Sequence, residues 1–264
     1  MNLVSFDALR TLKLPGATYI KPELFLRHLA LLRSADWVLF PEYWQVNTLV
    51  LGLHCRIFPS HATYLLGHDK IEMTRAFAAI APEHVPETLI EANDPACAAR
   101  VWERLPLPFV AKIPRSSMGE GVFLIRGRGD WQRYLTQTPS IYAQEYLPID
   151  RDLRLVVVGN RLVGGYWRRQ AAQGFHNNLA RGGLIDRAPI PRAARDLVLR
   201  LARTLGIDHA GFDIAMVGAH PYVLEFNRLF GNDGLQGREE RLSKVILSYL
   251  RRESCRDGPK GPFN

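Results

Sequence analysis

Three cysteines in 264 residues, Cys55, Cys97 and Cys255, are too few and too scattered for a disulfide framework, and they fall into no zinc spacing. Long apolar runs are missing too. The stretch at 49–53 is far short of the ~20 residues that span a bilayer, and no basic segment near the start leads into an apolar one. These absences predict a soluble chain in a reducing cytoplasm, with no membrane partner. Lysine is scarce as well: Lys13, Lys21, Lys70, Lys112, Lys244 and Lys260 are the whole set, and arginine supplies the rest of the positive charge, a formal net of +8. That charge admits nucleic acid, an anionic nucleotide or an acidic protein. The basic residues are spread along the chain without an aromatic RNA-binding signature, so nucleic acid is not expected as the principal substrate. The composition present, 47% hydrophobic and 23% charged, is that of a globular chain long enough for one large domain or two small ones.

Residues 1–66 alternate short apolar runs, at 3–6, 37–40 and 57–59, with a helical pattern at 22–33, which predicts a small α/β layer. Helical patterns follow at 69–80, opened by Asp69 as N-cap, and at 94–105, with Pro95 in the first turn. The segment between them reads as a proline-containing connection. Beyond Pro108 the pattern changes to strands, at 109–113, 121–125, 141–146, 153–158 and 161–167, and Gly159-Asn160 marks a two-residue hairpin turn. A helix at 193–205 closes at Gly206. A second hairpin, 212–217 and 222–226, is joined by residues 218–221, and a last helix is predicted at 238–250.

With the second hairpin centred on Ala219, Asp213 opposes Glu225, and Asn227, two residues on, points to the same face. Opposed carboxylates repel, and placing them in apolar strands is costly without compensation. Magnesium compensates, because it takes hard oxygen ligands from one or two carboxylates and leaves room for phosphate oxygens. On this basis an alanine at either carboxylate is expected to relieve repulsion and leave the fold intact. A solvated face of an antiparallel sheet is the alternative. Lys112 interrupts a run that otherwise reads as buried strand, so its ammonium must reach water or an anion. Shortly after it, residues 116–121 form a small glycine-containing loop whose free N–H groups suit phosphate oxygens. The loop joins strand to strand, so it is neither a P-loop nor a dinucleotide fingerprint, and an ordinary turn remains the alternative. His54, His61 and His68 recur every seven residues, which matches no usual zinc pattern.

Lysine, loop, hairpin and acidic hairpin in this order resemble the ATP-grasp superfamily, and within it the RimK-type ligases that add glutamate or related amino acids to a carboxylate. The resemblance covers residues 69–237. It is carried by Gln144-Glu145-Tyr146-Leu147, by Arg151-Asp152-Leu153-Arg154, by the segment from Arg168 to Gly183, and by Gly211-Phe212-Asp213 with Val223-Leu224-Glu225-Phe226-Asn227. It implies an α+β fold of the ATP-grasp type. Two α+β lobes at 69–252 would clasp ATP, after a short α/β N-terminal domain at 1–68 and before a tail at 253–264 expected to be disordered.

The resemblance also implies roles. Lys70 and Lys112 would lie near the phosphates, with Ser117, Met118, Gly119 and Gly121 in a loop closing over them. Gln144, Glu145, Tyr146 and Leu147 would line the adenine, and Asp152 would approach the ribose. Arg154, Arg168, Asn178 and Arg181 would hold phosphate or an acyl phosphate, and Asp213, Glu225 and Asn227 would carry magnesium, for which manganese can substitute. The implied activity is ATP-dependent joining of a small-molecule or protein carboxylate to an amine, such as an amino acid, and a homo-oligomer is compatible with it. The pattern departs from the family at residues 228–234, where Arg228-Leu229-Phe230 stand in place of small residues, proline and glycine. A small-molecule kinase and a non-catalytic ATP-binding module therefore stay open as alternatives.

Overall fold

A five-stranded antiparallel sheet, hydrophobic on both faces, organises the chain. The computed structural model describes residues 1–116, 121–169, 184–231 and 239–256. The first residues form a parallel sheet: β1 (Leu3–Ser5), β2 (Ala17–Tyr19), β3 (Trp37–Leu39) and β4 (Ile57–Phe58), in the order β2-β1-β3-β4. Short helices join these strands: α1 (Ala8–Thr11), α2 (Leu29–Ser34, entered through a 3-10 segment at Pro22–His28) and α3 (Tyr43–Asn47). The helix expected at 22–33 is thus split, with only its second half α-helical. Next come α4 (His61–Leu66) and α5 (Lys70–Ile80), the latter capped by Asp69, whose side chain accepts from the Ile71 N–H.

A second, antiparallel sheet has the order β5-β8-β6-β7, from β5 (Thr88–Ala92), β6 (Phe109–Lys112), β7 (Val122–Ile125) and β8 (Ser140–Glu145). The connection expected between the two helical patterns therefore contains an edge strand, β5. Helices α6 (Pro95–Arg104) and α7 (Arg128–Leu135) cover one face, where Val101, Phe109, Ala111, Trp131, Tyr134 and Ile141 are buried together.

The large sheet runs β11-β10-β9-β12-β13, from β9 (Arg151–Val158), β10 (Arg161–Arg169), β11 (Leu184–Asp186), β12 (His209–Val217) and β13 (His220–Asn227). On one face Leu153, Leu155, Val157, Phe212, Ile214 and Val223 pack against α5 and α8 (Arg192–Leu205). On the other face Val156, Val158 and Val163 meet Leu3, Leu39 and Phe58 of the first sheet and Leu242, Ile246 and Leu250 of the last helix, α9 (Glu239–Arg256). That helix runs to Arg256, so residues 253–256 belong to it and not to the expected disordered tail. Burial on both faces explains why β9 reads as a nearly continuous apolar run. Asp152 and Arg154 break that run, and alternation puts them on the second face, at the end where covering elements give way to a cavity. Among the described residues, no helix is long and apolar enough to cross a membrane.

Candidate active site

A cavity of about 700 Å³ separates the uncovered faces of the two antiparallel sheets, and the start of α5 forms one side of it. Period-two alternation selects its lining. On β6 and β8, Phe109, Ala111, Ile141 and Ala143 enter the core, so Val110, Lys112, Tyr142 and Gln144 face the other way. On the large sheet, Asp152, Arg154, Arg168, Asp213, Glu225 and Asn227 come to one face from four different strands.

The acidic pair is in the expected register, but by a different route. The turn is only Gly218-Ala219, with Gly218 at φ +59°, and uninterrupted pairing from it would set Leu224 against Asp213. A bulge at Leu224 shifts the ladder by one residue, so Asp213 opposes Glu225 and Asn227 opposes Gly211. The bulge also lets Val223 and Phe226 both reach the core while Glu225 turns to the cavity.

Asp213 does not confront Glu225 unaided. Arg154 on β9 lies opposite it in register and brings Nε to 2.6 Å from Oδ1, and Arg168 Nη2 is 2.8 Å from the same oxygen. Arg168 also grips Asp152 with two parallel hydrogen bonds of 2.7 and 2.6 Å. These four side chains are all buried, Asp213 being 5% exposed. Asp152 and Arg154 are therefore not a solvated pair on the protein surface. Burial raises the Asp152 carboxyl to about 6, against the opposing pull of Arg168. Burial works against the Arg168 guanidinium also, but Asp213 and Asp152 outweigh it and hold it charged.

Glu225 is the more open carboxylate. Lys70 Nζ is 3.8 Å from it and the Asn227 amide donates to it at 3.4 Å. Burial opposes its charge, yet Lys70, Lys112 and Arg154 together bring its pKa below the ordinary value. Lys70 also donates to the Ser116 carbonyl. Lys112, 7% exposed, donates to Gln144 Oε1 at 2.8 Å and lies 5.5 Å from the centre of the Tyr142 ring. Burial lowers the pKa of both lysines, and Glu225 partly restores each.

Gln144 therefore holds Lys112 while its amide donates to Thr88 Oγ1 at 2.8 Å, and Glu145, Tyr146 and Leu147 continue along the rim. Of the loop, Ser116 and Gly121 are described. Gly121 has φ +73°, and a Cβ there would come within 2.9 Å of Ile113 and 2.8 Å of Ser116 Oγ. Ser117, Met118, Gly119, Asn178 and Arg181 lie outside the described residues.

The donor set fits a hard divalent cation. Glu225 and Asn227 offer oxygens on one edge, whereas both Asp213 oxygens face guanidinium groups, Oδ1 those of Arg154 and Arg168 and Oδ2 that of Arg154 at 3.1 Å, so a cation at Asp213 would have to displace one of them. Sequence reasoning missed several lining residues. Tyr142, fully buried and packed against Lys112 behind the lining, could have been found, since it sits two positions before Gln144 on the same strand face. Asp69 was legible only as a helix cap, although it also binds Arg115 at 3.0 Å. His68 stood out only in a histidine spacing that matched no zinc pattern, and Arg228 only as a departure from the family pattern, so neither was given a role.

The model of the RimK-like ATP-grasp domain matches residues 66–247. The ribosomal protein bS6–L-glutamate ligase of Salmonella paratyphi B is 34% identical over 135 residues, 49% of this chain and 45% of that protein. The chain thus spans less than half the length of that curated relative. A crystal structure of a RimK domain ATP-grasp protein from Sphaerobacter thermophilus aligns over 82% of this chain and 81% of its own, with TM-score 0.63 and 19% identity. D-alanine–D-alanine ligase from Bacillus anthracis complexed with ATP aligns over 92% and 87%, with TM-score 0.69 and 13% identity. These likenesses show the ATP-grasp fold. With the family match extending over well more than half of its length, this chain belongs to the RimK-like ATP-grasp family.

Proposed function

We propose that the chain is an ATP-dependent carboxylate–amine ligase that activates a carboxylate as an acyl phosphate and joins it to an amine, such as the amino group of an amino acid. The observation that carries this is the opposition, within one cavity, of Lys70 and Lys112 to a buried face of alternating arginines and carboxylates. Among the described residues the cavity is lined by six cations, Lys70, Lys112, Arg115, Arg154, Arg168 and Arg228, against five carboxylates, Asp69, Glu145, Asp152, Asp213 and Glu225, which leaves one positive charge in excess for anions. The named activity of the Salmonella relative, glutamate ligation to a protein, and the ATP bound by the Bacillus relative agree with it.

In this reading Lys70 and Lys112 bind the nucleotide phosphates, and the strip from Gln144 to Leu147 receives the base. Magnesium, when held by Asp213, Glu225 and Asn227, neutralises phosphate charge. A substrate carboxylate oxygen attacks the γ-phosphorus, the bond to the ADP oxygen breaks, and an acyl phosphate results. Arg154 and Arg168 face the anionic groups with planar forks already ordered by Asp152 and Asp213, so little reorganisation is needed as charge shifts. The amine then attacks the carbonyl carbon, the C–N bond forms, phosphate leaves, and the nitrogen loses a proton.

The test is ADP release by the full chain with ATP, magnesium and pooled carboxylates and amines. Release that needs both a carboxylate and an amine supports ligation. Release that needs neither an amine nor a carboxylate, with phosphate transferred to a hydroxyl, replaces ligation by a kinase reaction.

A further inference from the structure

Behind the cavity wall lies a chain of polar groups that no step of the proposed reaction uses. Tyr142 and Thr74 are buried, at 0% and 6% exposed, and neither lines the cavity. The Tyr142 hydroxyl is 2.8 Å from Thr74 Oγ1 and accepts from the Gln144 amide at 3.4 Å. The same amide donates to Thr88 Oγ1 at 2.8 Å, and the Thr88 hydroxyl donates to the Pro86 carbonyl at 2.7 Å. At the far end, Gln144 Oε1 accepts from Lys112 Nζ at 2.8 Å.

The lysine sets the direction of every bond in this chain. An ammonium only donates, so the amide presents its oxygen to Lys112 and its N–H groups to Tyr142 and Thr88. Thr88 has committed its proton to Pro86, and the Tyr142 proton is left for Thr74. Burial pushes the Tyr142 hydroxyl pKa up to about 12, so that proton stays in place. Bonds polarised in sequence from one charged end strengthen one another.

The chain also joins two parts of the fold. The pairing of β6 with β8 ends at Ala111 and Ala143. At the next position the Tyr134 hydroxyl of α7 stands between the strands, donating to the Lys112 carbonyl at 3.0 Å and accepting from the Tyr142 N–H at 2.8 Å. The Lys112 ammonium lies 5.5 Å from the centre of the Tyr142 ring. Thr74 belongs to α5, which packs through Met73 and Phe77 on the large sheet, and Lys70 stands one turn before it on the same helix face. The Thr74–Tyr142 bond therefore runs from the helix that carries Lys70 to the sheet that carries Lys112. Burial and then the Lys112 charge lower the Lys70 pKa, so the two ammonium groups repel and need fixing in place.

We propose that Tyr142 is a positioning residue for nucleotide binding, its hydroxyl holding the Lys112 ammonium, through Gln144, in register with Lys70 for the same phosphates. This rests on the assignment of Lys112 to nucleotide phosphates and not on the chemistry that follows, so it is measured without turnover.

The experiment is a double-mutant cycle on ADP affinity, read by calorimetric titration of the full chain with magnesium present. Tyr142→Phe keeps the ring and removes the hydroxyl, and it should weaken ADP binding about three- to tenfold, as for one lost buried hydrogen bond. In a Lys112→Met background the same change should alter ADP affinity by less than about twofold, because the hydroxyl acts through the ammonium. Thr74→Val removes the same bond from its other end; it should show the same pattern, and it decides if Tyr142→Phe fails to fold. Equal weakening in both backgrounds would make the hydroxyl a part of the scaffold alone and overturn the proposal. Unchanged affinity in Tyr142→Phe and Thr74→Val, with a loss in Lys112→Met, also overturns it while leaving the ligase reading intact. If Lys112→Met binds ADP like the parent, or the parent binds no ADP, the proposal and the phosphate role of Lys112 fall together. An intact cycle without ADP release in any substrate pool would keep the positioning role and remove the ligase reading.

Discussion

Asp213 and Glu225 stand opposite each other across β12 and β13, yet they live in different electrostatic surroundings: Arg154 and Arg168 approach Asp213 within 2.8 Å, and Glu225 has Lys70 at 3.8 Å. Mutual repulsion is therefore not what either carboxylate chiefly experiences. The sequence-based expectation that alanine at either position relieves repulsion needs correcting at Asp213, where the side chain neutralises two buried guanidinium groups.

Asp213→Ala should lower the unfolding free energy by about 3–5 kcal/mol, because it strands buried positive charge. Glu225→Gln removes a long, half-exposed ion pair and should cost about 1 kcal/mol or less. Both should abolish magnesium-dependent ADP release. Urea unfolding beside a turnover assay separates the two effects, and equal stability losses would contradict the pairing described.

Lys112→Met separates folding from ligand binding. The buried ammonium has Gln144 but no carboxylate within ion-pair distance among the described residues, and burial depresses its pKa. A methionine of similar length removes that cost, so stability should hold or rise, while ADP affinity should fall at least tenfold, as expected for loss of a charge-assisted hydrogen bond of about 1.5–3 kcal/mol. Calorimetric titration of ADP checks it. Unchanged affinity would return Lys112 to a structural part.

Gly121→Val should act at the base of the loop. Its positive φ costs a side chain about 1–2 kcal/mol, and the added carbons meet Ile113 and Ser116. Because Lys70 donates to the Ser116 carbonyl, displacement of that residue disturbs a nucleotide-facing cation. The KM for ATP should rise several-fold; a value equal to that of the parent chain speaks for a turn with no part in binding.

His209 gives a pH signature. Burial lowers its pKa from 6.5 to about 3, so the native state keeps it neutral. The stability associated with the neutral ring is present above pH 6.5 and is lost as pH falls toward 3, since the unfolded chain takes up the proton first. His209→Asn keeps an N–H for the Arg228 carbonyl without a titrating ring. The stability difference between parent and variant should therefore shrink by up to about 1.4 kcal/mol per pH unit below 6.5. A difference constant from pH 7 to 4 would contradict a buried neutral imidazole.

Much of this architecture was legible in the sequence because its signals are local. Asp69 and Asp94 cap helices where expected, and the Gly159-Asn160 turn is where dipeptide chemistry puts it. The Asp213–Glu225 register came out correctly although the turn was misplaced, because the bulge at Leu224 added back the residue that the shorter turn removed. Helices such as Ala8–Thr11 and His61–Leu66 are too short for a period of 3.6 to show, and half-exposed β5 lacks an apolar run. The arginine–carboxylate pairing was not legible at all. It depends on β9 lying between β10 and β12, a neighbour relation set by the whole sheet.

The most direct test of carboxylate activation offers hydroxylamine in place of the natural amine, using a substrate pool already shown to drive ADP release. Formation of a hydroxamate that requires ATP, magnesium and the carboxylate is the expected result, and Arg168→Ala should suppress it. ADP release accompanied by a stable phosphoester, with no hydroxamate, would contradict an acyl-phosphate reaction in this cavity.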